Sequence, residues 1–125
     1  MKVKCIKLLG LNRNIVESSN WLEIGAVYHV ITIYIDLFKG VSYRIINSDS
    51  DSIVSGMGIQ DASAFEIVSD VIPASWKVKV LKNTAITISP LAWQKNGWWE
   101  AFYEDDPVAH TEFEREYNLI LAEDP

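Results

Sequence analysis

Ala26-Val27-Tyr28-His29-Val30-Ile31-Thr32-Ile33-Tyr34-Ile35-Asp36 is the stretch that decides the fold class. It is built almost wholly from β-branched and aromatic side chains, which fit a pleated strand and lose rotamer freedom in a helix. Strict alternation puts Val27, His29, Ile31, Ile33 and Ile35 on one face and Tyr28, Val30, Thr32 and Tyr34 on the other. Both faces are largely apolar, so a central strand covered on both sides is expected. Leu37-Phe38-Lys39-Gly40 reads as a turn, and residues 41–47 as the returning strand of an antiparallel hairpin.

Outward from this hairpin the strand signals continue. Residues 3–9 alternate Lys with apolar side chains up to Gly10, and 64–69 and 86–89 read as further strands. Residues 76–81 (Trp-Lys-Val-Lys-Val-Leu) predict a strand with one buried face and a basic outer side. Between them, 48–58 holds two Asp, four Ser and two Gly, the composition of a mobile loop.

The pattern changes near Pro90. Asn96-Gly97 interrupts, and 98–104 then reads as one or two helical turns with Trp98/Phe102 and Trp99/Tyr103 four residues apart. Asp106 followed by Pro107 is an N-cap with proline at the first helical position. From there Ala109, Phe113, Tyr117, Ile120 and Leu121 form an apolar stripe through Ala122. A strand-rich body (1–89) followed by a helical end (90–122) in one domain gives α+β. The stretch Leu22-Glu23-Ile24-Gly25-Ala26-Val27-Tyr28-His29-Val30 resembles the entry strand of small SH3-like barrels. The expectation is therefore a five- or six-stranded, strongly bent antiparallel sheet or SH3-like barrel, with one or two helices packed on it.

With 125 residues and one cysteine, Cys5, the chain can bury a real core but can form no internal disulfide. Its first residues lack the unbroken apolar run of a signal peptide, and the longest apolar run is too short for a membrane helix. A soluble, cytosolic protein is expected, with a monomer favoured.

The search for chemistry finds little. His29 and His110 are far apart in sequence, and His110 with Glu114 would supply only two metal ligands. Asp49-Ser50-Asp51-Ser52 lacks the glycine and terminal glutamate of a calcium loop. Gly56-Met57-Gly58 lacks the Lys and Ser/Thr of a phosphate loop. Cys5 has no base in view, so strand packing is its expected role. Glu100, Glu104, Asp105 and Asp106 are adjacent acids, but paired-carboxylate catalysis needs two different environments. Lys77, Lys79 and Lys82 line one strand without the aromatic partners of a nucleic-acid platform. No catalytic residue, metal or cofactor is assigned.

Charge is the stronger signal. Nine of the seventeen acidic side chains lie in 100–125 with a single base, Arg115, so this segment carries −8 while the rest of the chain is slightly positive. It interleaves with Trp98, Trp99, Phe102 and Tyr103. Such an end suits a basic protein surface and repels phosphates; the bland alternative is a solvated acidic helix with its aromatics in the core. The residues expected to bind are Trp99, Glu100, Tyr103, Glu104, Asp105, Asp106, Glu112 and Glu116. Trp98 and Trp99 point about 100° apart on a helix, so one should meet the body and the other be partly exposed.

The run Ala92-Trp93-Gln94-Lys95-Asn96-Gly97-Trp98-Trp99-Glu100-Ala101-Phe102-Tyr103-Glu104-Asp105-Asp106-Pro107 resembles the endings of small bacterial immunity proteins of polymorphic toxin systems, including those of contact-dependent growth inhibition. The likeness spans residues 88–116. It implies a protein that neutralises a cognate toxin, often a nuclease with a basic cleft, by occlusion and without chemistry of its own. Two alternatives stand beside it: an adaptor whose acidic helix meets another basic protein, and a small hydrolase using the Glu100 to Asp106 acids.

Overall fold

Three residues join β4 (Met57–Asp61) to β5 (Phe65–Ser69), the 3-10 turn Ala62–Ala64. Yet β4 and β5 are the two ends of the strand order β4-β3-β2-β1-β5, with β1 Lys2–Cys5, β2 Val27–Asp36 and β3 Gly40–Ile46 between them. In a flat sheet four strand spacings amount to about 19 Å, beyond the roughly 14 Å that four Cα–Cα steps can reach. The sheet must therefore curl. In the computed structural model, which describes residues 1–10, 12–19, 21–47 and 57–125, it does. The Phe65 ring lies 6.2 Å from that of Tyr43 and 6.4 Å from that of Tyr28, across the inside of the curl.

β2 is the spine. β3 pairs along it from His29 to Asp36, while its other edge is shared by β1 at Val27 to His29 and β7 (Ala85–Pro90) at Ile33 to Asp36. β6 (Trp76–Lys82) then pairs with β7. The result is a seven-stranded antiparallel curved sheet that is not closed into a barrel. Alternation along β2 fails at one place. The register with β3 jumps from Val30↔Ile45 to Thr32↔Arg44, so a bulge at Ile31 resets the faces. Tyr28, Val30, Ile33 and Ile35 share the inner face; His29, Thr32 and Tyr34 share the outer one. This corrects the expected division, which carried strict alternation through the whole strand.

The helical layer sits on the outer face: a 3-10 turn Leu91–Gln94, then α1 (Trp98–Tyr103) and α2 (Pro107–Glu123). Asp106 caps α2, its side chain accepting from the Val108 amide at 2.9 Å. Trp93, Trp98, Phe102, Phe113 and Ile120 are buried beneath the layer, each worth roughly 1.5–3 kcal/mol in apolar surface removed from water. No helix among the described residues is long and apolar enough to cross a membrane.

Three further expectations change. The first strand ends at Cys5, not Leu9, which makes only an isolated bridge to Ile15. Cys5 is buried as expected. The loop expected at 48–58 lies outside the described residues up to Gly56, and Met57 and Gly58 instead open β4. Most consequentially, β6 is turned over. Lys77 and Lys79 face the helical layer, while Val78 and Val80, expected to be buried, are 62% and 70% exposed.

The last residues after α2 are latched to the sheet. Asp124 is buried and accepts from the Met1 ammonium at 2.9 Å and from Ser69 Oγ at 2.8 Å, while its carbonyl oxygen accepts from His29 Nε2 at 2.7 Å. Burial pushes the Asp124 carboxyl upward, but the bonds from the Met1 ammonium and Ser69, with the charges of that ammonium and Lys2, outweigh it and hold the group below its ordinary value. A depressed carboxyl contributes stability above its unfolded value, near pH 3.9, and loses it as pH falls through the folded value. Asp124→Asn is therefore expected to cost about 2 kcal/mol at neutral pH. In urea melts at several pH values the gap to the parent chain should close below about pH 4.

Candidate functional site

Gly97 adopts a left-handed conformation (φ 77°) and turns the chain into α1. The helix is short because Asp105 takes the left-handed position (φ 62°) immediately after its last turn. The Asp105 amide bonds to the Phe102 carbonyl at 3.1 Å and the Asp106 amide to the Ala101 carbonyl at 3.0 Å, the paired closure of a Schellman motif. Asp106 then opens α2, so two adjacent aspartates end one helix and begin the next. Glycine would suit the Asp105 position better; an acid stands there, with its side chain in water.

Inside this corner the aromatic rings are locked together. Trp98 stacks on Trp93 and on Phe102, each at 5.6 Å, and Phe102 stacks on His110 at 4.4 Å. His110 Nε2 also lies 2.9 Å from the Phe102 carbonyl and 3.5 Å from Asp105, so this histidine staples α2 to α1. No cluster of three metal-ligating side chains occurs among the described residues. As expected for the adjacent tryptophans, Trp98 is buried and Trp99 half-buried.

Arg44, which sequence reasoning passed over, holds the half-buried ring in place. It alternates with Tyr43 and Ile45 on β3, so it lies on the outer face opposite Thr32, and is 8% exposed. Its guanidinium carbon sits 3.8 Å from the Trp99 ring centre, a close cation–π contact. Nη1 donates to Tyr103 Oη at 2.7 Å, and Nε and Nη2 donate to Tyr34 Oη at 3.3 and 3.2 Å. No carboxylate pairs with Arg44 among the described residues. A desolvated cation satisfied by two phenols and an indole is an uncommon arrangement. Its visible signal was an arginine inside the apolar strand Tyr43-Arg44-Ile45-Ile46 of an aromatic-rich chain.

The eight side chains expected to bind fall into two groups. Trp99, Glu100, Tyr103, Glu104 and Asp105 gather on α1 and its closing turn, with the four other than Trp99 exposed. Asp106 is also exposed, but its carboxylate is occupied as the α2 cap. Glu112 and Glu116 lie elsewhere, in a groove between α2 and β6. Glu112 pairs with Lys95 at 3.3 Å; Glu116 is 7% exposed and accepts from Ser75 Oγ at 2.9 Å. A buried, hydrogen-bonded Glu116 is part of the packing between α2 and the sheet. A second recess of about 220 Å³ lies between α1 and the sheet, with the hydroxyls of Thr32, Thr87 and Ser89 among its lining and Glu100 at its margin.

The clamp predicts a specific failure. Arg44→Lys keeps the charge but cannot bridge two phenols and an indole. It should destabilise the protein by about 1–3 kcal/mol in urea denaturation, the scale of charged hydrogen bonds plus a desolvated cation–π contact. Tryptophan emission from Trp99 should shift before global unfolding, whereas a lysine that restored parent stability would show that the fork geometry is unimportant.

Compared with protein-family models, curated proteins and solved structures, the chain matches none of them.

Proposed function

We propose that this protein binds another protein through the α1 corner, and that the partner is a toxin domain with a basic surface, neutralised by occlusion. One observation carries the reading: Glu100, Glu104 and Asp105 are exposed around Trp99 and Tyr103, two rings already immobilised by Arg44. Binding energy concentrates in a few rigid aromatic anchors, and anchors that are ordered beforehand lose less entropy on association. The surrounding carboxylates steer a cationic partner and set its orientation. The resemblance of residues 88–116 to immunity proteins supplies the toxin class, and a nuclease is the expected member because its substrate demands a basic cleft. The competing adaptor reading uses the same corner with a different cationic partner.

The test is charge reversal of the triad Glu100→Lys, Glu104→Lys and Asp105→Lys, measured against the product of the adjacent upstream reading frame. Association at low salt should slow by about ten- to a hundredfold and lose most of its salt dependence. Unchanged rates would remove the steering claim; a neighbour that binds but has no toxicity would favour the adaptor.

A further inference from the structure

The β6 margin carries a second surface with the opposite charge. β6 pairs with β7 along one edge and, among the described residues, with no strand along the other. Its faces differ sharply. Lys77 and Lys79 line an open groove of about 720 Å³ on the helical side, shared with Leu91, Lys95 and Arg115. On the other face Val78 and Val80 are exposed and continue in register into Ile88 and Ile86 of β7.

The groove is cationic although the chain carries net charge −6. Its two carboxylates are already engaged, Glu112 by Lys95 and Glu116 by Ser75, with Arg115 3.8 Å from the latter. Lys79 gives its ammonium to the Gln94 carbonyl, a neutral acceptor. Lys77 has no acidic partner among the described residues. Four cations therefore face two carboxylates.

An unpaired strand edge offers backbone donors and acceptors to any extended chain, and the side chains of an added strand alternate between the two faces. We propose that β6 receives an extended acidic segment of a partner protein as an added strand. Its carboxylates fall on Lys77 and Lys79, and the aliphatic residues between them fall on Val78 and Val80. The lysines also argue against a second copy of β6 as occupant, since like charges placed opposite each other across a strand pair are destabilising. This surface adjoins the recess beneath α1, since Lys79 and Lys95 line both, but its occupancy does not depend on the toxin reading.

The experiment titrates the isotope-labelled full chain with three capped ten-residue peptides: alternating Glu and Val, alternating Lys and Val, and the Glu/Val composition arranged in two blocks. Saturable amide shifts confined to β6 and β7 are expected for the alternating acidic peptide, with affinity at least tenfold above either control. Lys77→Glu with Lys79→Glu should invert the order of the two alternating peptides. Val78→Asp, an exposed position, should weaken the acidic one at least fivefold with the melting curve unchanged. Equal binding of the block peptide, shifts centred away from β6, no binding of any peptide, or a β6-mediated dimer of the free protein would each overturn the proposal.

Discussion

The short turn Ala62–Ala64 is the constraint on which the architecture rests. It ties the two ends of a five-strand path together within a reach that a flat sheet cannot satisfy. Curling brings Tyr28, Tyr43 and Phe65 into one aromatic contact on the inside and leaves the outer face for the helices. The curl does not close into a barrel: β7 takes the far half of the same β2 edge that β1 uses and, with β6, extends the sheet as a wing. Aromatic packing beneath the curl and helical packing above it are thus two consequences of one connection.

The bulge at Ile31 transmits this architecture to the candidate site. Alternation along β3 sets Arg44 on the outer face, away from Tyr43 and Ile45; without the bulge Tyr34 would share the inner face with Val30. With it, Tyr34 turns outward and joins Tyr103 and Trp99 around the guanidinium. One extra residue in one strand therefore decides whether Arg44 has a second phenol for a partner. The price of burial is offset by hydrogen bonds and an aromatic face in place of a counter-ion, which leaves the carboxylates of α1 unneutralised by it.

Much of the fold was legible because its signals are local. β2, the hairpin, the Asp106-Pro107 helix start and the packed Trp98/half-buried Trp99 pair all follow from side-chain type and spacing over a few residues. What escaped depends on tertiary partners. β4 has a glycine and polar residues and becomes a strand only by lying beside β3. Val78 and Val80 looked buried because apolar residues alternated with lysine, but alternation says only that the faces differ, not which one the helices cover. In the site, the acidic residues of α1 were visible as a charge run; the arginine that organises their aromatic neighbours was not, since it lies far away in sequence on β3.

The acid surplus itself needs dividing before it is assigned to a partner. Of the carboxylates in the helical end, Asp124 is bound to the Met1 ammonium, Glu116 to Ser75, Glu112 to Lys95, Glu123 to the Ala74 amide and Asp106 to its own helix. These groups stabilise the fold, chiefly by fastening α2 and its end to the sheet. Among the described residues Glu100, Glu104 and Asp105 make no such attachment beyond the long Asp105–His110 contact, and they sit together where two helices meet, while Glu114 is exposed further along α2. A dense charge run in sequence thus splits into a structural majority and a surface minority, and only the minority can steer an encounter. Its location beside the clamped rings, rather than its size, is what makes this corner suited to recognition.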